Sequence, residues 1–238
     1  MKPVIPMFVL VWSLLVSCEI NINTGPGIEG TGPTSSQKWD LSDFDQIKFE
    51  VAGSVELKKG PFAVEGKGQQ NILENLDITV RKGVLIIDQK KRVKQAEDLV
   101  FQVSLPSLKG LTVAGSGSIT GMDDFSGIEQ LDLTIGGSGE IQLECSAEAI
   151  DANIGGSGSM SLSGYTNNLD INIGGSGEVD ANKLEANQCS ITIGGSGDVR
   201  VHAVQTLDIS MAGSGDVYYK GNPKVSTSKV GSGEVHKQ

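Results

Sequence analysis

Asp132, Asp151 and Asp170 stand 19 residues apart, and Glu178, Asp180, Asp198, Arg200, Asp216 and Tyr218 fall at like places in successive copies of a similar interval. Files of carboxylates invite two chemistries. One is cation binding; the other is the carboxylate-and-arginine constellation that polysaccharide lyases assemble on one face. Calcium needs about six to eight converging oxygens. The calcium-binding roll repeats Gly-Gly-x-Gly-x-Asp about every nine residues. Here Gly-Gly-Ser-Gly-Glu-Val-Asp, from Gly174 to Asp180, sets its aspartate one place later, on a period about twice as long. Asp132, Asp151 and Asp170 are therefore weak calcium candidates beside the plainer reading of a solvated acidic face. Asp180 and Arg200, with Glu178, Asp198, Asp216 and Tyr218 alongside, form the best enzymatic constellation, but a cross-strand surface ion pair, worth at most about 1 kcal/mol, is the plainer account of them. With only His202 and His236 in the chain, a histidine-based metal or nucleophile site has little support. No catalytic residue and no cofactor is assigned.

These residues are positioned by a repeat. Gly-Ser-Gly recurs with its serine at Ser116, Ser138, Ser157, Ser176, Ser196, Ser214 and Ser232, in steps of 18 to 22 residues. Three places before the serine stand Val113, Ile135, Ile154, Ile173, Ile193 and Met211; three after stand Ile119, Ile141, Met160, Val179, Val199, Val217 and Val235. Apolar and polar positions alternate on both sides of the glycines, the period of a strand with one face in and one face out. One copy buries about five side chains, too few to offset the ordering of some 19 residues. Stacking closes the apolar columns, so the pattern predicts an all-β, right-handed parallel β-helix (β-solenoid) with about 18–22 residues per turn. The rival is an antiparallel meander with glycine-rich hairpin loops. Like residues at like positions favour the coil.

The register extends to the cysteines. Apart from Cys18, Cys145 and Cys189 are an even pair in what is read below as an oxidising compartment, the usual setting for a disulfide. Counted from the repeats they lie in corresponding regions two turns apart, about 10 Å at the spacing of stacked strands, beyond the roughly 7 Å that a disulfide spans. Both share the parity of inward residues, which predicts free, buried thiols.

Residues 1–17 read as a lipoprotein signal peptide: Lys2, the apolar run Val4–Val16, then Leu15-Val16-Ser17-Cys18, with Cys18 the lipidated first residue. An ordinary cleaved signal also satisfies the small-residue site. Residues 18–37, rich in Gly, Pro, Thr and Ser, read as the anchor and a flexible tether. Residues 38–110 carry alternating segments that continue or cap the solenoid, and residues 111–238 are the Gly-Ser-Gly solenoid. At the far end Lys220, Lys224, Lys229 and Lys237, with Pro223, discourage further strand pairing. The basic run Lys90, Lys91, Arg92 and Lys94 reads as a solvated loop able to touch anionic lipid or glycan, and Trp39 as packing on the first turn. A net charge of −10 argues against nucleic acid as a partner.

Phe44-Asp45-Gln46-Ile47, Val51-Ala52-Gly53-Ser54-Val55-Glu56-Leu57, Lys82-Gly83-Val84-Leu85-Ile86-Ile87, Leu105-Pro106-Ser107-Leu108 and the Gly-Ser-Gly string from Gly115 occur in an order and spacing that resembles the "putative auto-transporter adhesin, head GIN domain" family. The resemblance covers nearly all of the chain after the leader and implies a β-helical envelope protein with a role in adhesion. It transfers no catalytic residue. The expectation is a non-enzymatic cell-envelope lipoprotein, in the outer membrane on its periplasmic or surface face, that presents an elongated surface to a glycan or protein. The alternatives are a polysaccharide-active enzyme and a calcium-binding structural solenoid.

Overall fold

The structure is a computed structural model describing residues 27–238, so the expected signal peptide and the lipidation expected at Cys18 lie outside the described residues. The strands are β1 (Ile28–Glu29), β2 (Thr34–Trp39), β3 (Gln46–Phe49), β4 (Ser54–Lys59), β5 (Ala63–Gln69), β6 (Leu76–Arg81), β7 (Val84–Gln89), β8 (Val93–Gln95), β9 (Val100–Leu105) and β10 (Gly110–Val113), with a short helix α1 (Gln70–Glu74) after β5. The repeats supply β11 (Ser118–Ile135), β12 (Glu140–Ile154), β13 (Ser159–Ile173), β14 (Glu178–Gly195), β15 (Asp198–Gly213), β16 (Val217–Lys220), β17 (Lys224–Gly231) and β18 (Val235–Lys237).

Every pairing from β10 to β18 is parallel, and like residues stack: Ile141 on Met160 on Val179 on Val199, and Ala152 on Ile171 on Ile191 on Ile209. This is the β-solenoid, and the hairpin meander is excluded. The glycines permit the stacking at the corner. A Cβ on Gly158 would sit 2.5 Å from Ile135 Cγ2 and 2.6 Å from the Gly139 carbonyl, whereas one on Gly155 would meet nothing within 4 Å. Between the close-packed glycines the serine N–H groups continue the ladder, Ser157 donating to the Gly137 carbonyl at 2.9 Å.

Each repeat strand runs 15–18 residues because the ladder resumes round the opposite corner, across bulges such as those between Ser126 and Ile128, Ser161 and Ser163, and Ala181 and Glu185. There the inward parity changes: Leu143, Cys145 and Ala147 are buried, and then Ile150, Ala152 and Ile154. Small residues fill the corner column, Ala147, Thr166, Ala186 and Ala203, and the buried Thr166 hydroxyl donates to the Asn168 carbonyl at 3.0 Å. The parity change corrects the placement of the cysteines. Cys145 stacks on Gly164 before the corner, and Cys189 on Leu169 and Leu207 after it, so they occupy different columns. Both are free and buried, as the register predicts.

The N-terminal region contributes parallel strands out of chain order. β3 lies between β7 and β10, and β4 between β9 and β11, so the turn formed by residues 46–59 is inserted between those formed by residues 84–105 and 110–121. The hairpin strand β6 pairs antiparallel with β7, while β5 pairs antiparallel with β9 and carries β2 on its other edge; together with α1 these cap the stack. The region thus both continues the coil and caps it. The tether expected over residues 18–37 is corrected in its second part, because β1 pairs with β8 and β2 with β5. At the opposite end two inward columns end in lysine, Lys229 against Met211 and Lys237 against Tyr219, while Val225 and Val235 continue those of Leu207 and Val217.

Candidate functional site

The outward columns form two files. In the first, Asp180, Arg200, Tyr218 and His236 are in register on β14, β15, β16 and β18. The Arg200 guanidinium pairs with Glu178 rather than with Asp180. Its other contact is the Tyr218 ring, 5.4 Å from Cζ to centroid, and the same ring stacks on His236 at 4.9 Å. Asp180 accepts from the Asn182 backbone N–H at 3.0 Å. Asp198 accepts from the Asp216 N–H at 2.9 Å, and Asp216 from the Glu234 N–H at 2.8 Å, so these two carboxylates cap backbone donors of the following turn. The file is therefore a ladder of mutually engaged groups: an ion pair, a cation–π contact, an aromatic stack and two backbone caps.

The second file lies on the straight strand before the glycine corner. Asp132, Asp151, Asp170, Ser190, Asp208 and Ser226 stack in register, beside a parallel file of Thr134, Asn153, Asn172, Thr192, Ser210 and Ser228. Gln130 bridges two of the aspartates, its Nε2 donating to Asp151 at 2.9 Å and to Asp132 at 3.2 Å. Partial burial and the flanking charges of Asp170 and Asp132 raise the Asp151 carboxyl above the usual carboxylate range. Among the described residues no group of three or more His, Cys, Asp or Glu is arranged to hold a metal ion, the three calcium candidates included.

Sequence reasoning missed the corner network: Asn187 Nδ2 donates to Tyr165 Oη at 2.7 Å and to Asn167 Oδ1 at 2.8 Å, and Asn167 Nδ2 to Glu148 at 2.5 Å. These residues sit where the alternation slips by one place, so counting from the serines gives them no common column. Two clefts lie outside the carboxylate files, the second bordered by Gln130, which bonds Asp132 and Asp151, while a shallower one opens on the file itself between Asp170, Ser190 and Asp208. The first, of about 640 Å³, is walled by Ile72, Leu99 and the 93–98 segment of the cap; the second, of about 350 Å³, lies over Leu108, Phe125 and Ile128. Trp39 packs on Phe101 with centroids 6.3 Å apart. Lys90, Lys91, Arg92 and Lys94 are exposed between β7 and β9, the last of them within β8.

Fold and surface together define a β-solenoid whose outer faces are ladders of stacked polar residues. The chain belongs to the family described as "putative auto-transporter adhesin, head GIN domain", whose profile matches residues 43–223. Solved structures share the fold. A "putative adhesin" from Bacteroides fragilis NCTC 9343 is 21% identical, covers 89% of this chain and 100% of its own, and superposes with a TM-score of 0.80. A "putative lipid binding protein" from Parabacteroides distasonis ATCC 8503 is 24% identical, with 90% and 100% covered and a TM-score of 0.77. A "putative adhesin" from Parabacteroides merdae ATCC 43184 is 20% identical, with 90% and 100% covered and a TM-score of 0.71. No curated protein matches the chain.

Proposed function

We propose that this chain is a non-enzymatic envelope lipoprotein, held by lipid on Cys18 in the outer membrane, that binds a glycan or protein through the face carrying Asp132, Asp151, Asp170 and Asp208. The observation that carries this reading is the continuity of that face. Two adjoining files of carboxylates, amides and hydroxyls repeat at the strand spacing of about 4.8 Å over successive turns, offering a long, flat and regular set of hydrogen-bonding groups. The Arg200 ladder is less suited to a ligand, because its charges and the Tyr218 ring are already engaged with one another. The family description supports adhesion.

The test is binding of the purified chain to glycan arrays and to envelope proteins, with and without calcium. The expected result is saturable binding that drops at least tenfold in Asp151→Lys/Asn172→Lys and is unchanged in Arg200→Ala. Binding that survives the first variant, or is lost only in the second, contradicts the assignment of this face. Radiolabelled fatty acid is expected on the wild-type chain and absent from Cys18→Ala.

A further inference from the structure

Charge is distributed unevenly along the solenoid. Residues 111–238 hold 16 Asp and Glu against 6 Lys and Arg, the whole net charge of −10, whereas residues 1–110 hold 13 of each. Within that neutral part the run from Gln89 to Ala96 contains four cations and no acid. It belongs to the turn nearest the cap, and the cap holds it in place. The Asn75 side chain donates from Nδ2 to the Lys91 carbonyl at 2.8 Å and accepts the Lys91 N–H at 3.1 Å, while Lys90 N–H donates to the Asn75 carbonyl at 2.8 Å. Lys90 Nζ donates to the Glu74 carbonyl at 3.0 Å. All four basic side chains are exposed, and among the described residues none forms an ion pair, although Glu29, Glu97 and Asp98 are near in the chain or across the β1–β8 pair.

The same run receives the chain as it joins the fold. Ile28 N–H donates to the Arg92 carbonyl at 2.9 Å, β1 pairs with β8, and a Cβ on Gly27 would meet Lys94 Cγ at 2.7 Å. We infer that Lys90, Lys91, Arg92 and Lys94 form a docking surface for an anionic phospholipid membrane, seating the capped end on the bilayer and directing the acidic turns away from it. A membrane is favoured over a soluble anion because the cations form an open, unpaired surface next to the point where the anchored segment arrives. Screening limits attraction and repulsion to about 8 Å at physiological salt, so the cap feels the lipid charge while turns farther along the axis do not. This deepens the envelope reading above, and its test does not need the lipid.

The probe is residues 19–238, which retain every described contact, mixed with vesicles of phosphatidylcholine alone or with 30% phosphatidylglycerol and measured by co-sedimentation. Each basic residue near such a surface contributes roughly fivefold in partitioning. The expected result is preference for the anionic vesicles at low salt, lost at high salt. Lys90→Ser/Lys91→Ser/Arg92→Ser/Lys94→Ser is expected to cut that partitioning by roughly several hundredfold with unchanged circular dichroism, and Lys90→Arg/Lys91→Arg/Arg92→Lys/Lys94→Arg to restore it. Equal binding to both vesicles, or undiminished binding of the serine variant, overturns the inference. Labelling at Cys18 reports separately on the anchor.

Discussion

At the scale of single residues, the corner glycines and the buried cysteines carry sharp consequences. A Cβ on Gly158 would overlap Ile135 and the Gly139 carbonyl, while one on Gly155 would point into open space. Gly158→Ala is therefore expected to cost about 1–3 kcal/mol, the range for overpacking a close contact, and Gly155→Ala less than about 0.5 kcal/mol, read as shifts in the urea midpoint at constant slope. The buried thiols make the second case. Burial, then the nearby carboxylates, push Cys145 and Cys189 up from 9.0 to about 12. An unfolded chain ionises them near their ordinary value, so it holds fewer protons than the native state between about pH 9 and 12. Stability should be unaffected below pH 8 and fall by about 1.4 kcal/mol per pH unit for each thiol across that window. Denaturant titrations at pH 8 and pH 10.5 are expected to show this drop in the wild type and a smaller one in Cys189→Val. A native protein whose thiols react with Ellman's reagent at pH 8 as fast as the unfolded chain would contradict the burial.

At the scale of elements, the last turn of the solenoid places lysines where earlier turns hold apolar residues, beside the exposed Val225 and Val230 of β17. Lys229 and Lys237 stand in columns that one turn earlier hold Met211 and Tyr219, and their ammonium groups donate to the Gly233 carbonyl at 3.1 Å and to Asn222 Oδ1 at 3.2 Å, leaving charge at the edge where another strand would have to pair. Lys229→Leu/Lys237→Leu is expected to convert the wild-type state into concentration-dependent higher oligomers, seen by sedimentation velocity; unchanged sedimentation would show that these lysines do not guard the edge. This edge was legible in the sequence, as were the stacked columns, because both follow from residue type at a fixed offset from each serine. The corner was not: the slip between Ala147 and Ile150 leaves no glycine or proline to mark it, so counting from the serines puts Cys145 and Cys189 in corresponding regions, whereas they occupy different columns on either side of the corner. Nor was the insertion of residues 46–59 between two later turns. Alternation fixes which face of a strand is buried, but the neighbour of a parallel strand is chosen by closure of the whole core, and β3, β7 and β10 present the same apolar period. Of the candidate site, the acidic file beginning at Asp132 was legible as a column, whereas the pairing of Arg200 with Glu178 depends on side-chain reach between turns that register alone does not decide.

At the scale of the molecule, the fold separates three tasks. The cap terminates the stack and receives the chain next to a basic run; the repeated turns supply rigidity through parallel hydrogen bonding broken only at short bulges; the outward files present polar groups at a constant spacing. A rigid scaffold with regular faces is suited to recognition of an extended partner by many weak, simultaneous contacts, whose strengths multiply along the file. Its carboxylate-and-arginine cluster lies on an outward face, with the Arg200 guanidinium engaged by Glu178 and the Tyr218 ring. The most direct measurement is therefore mass balance on the bound partner: a glycan or protein captured by the chain is incubated for many hours and recovered by mass spectrometry. The expected result is quantitative recovery of an unaltered ligand, with capture weakened by Asp151→Lys/Asn172→Lys; a ligand recovered cleaved or chemically altered, with the conversion abolished by Arg200→Ala, would contradict the account.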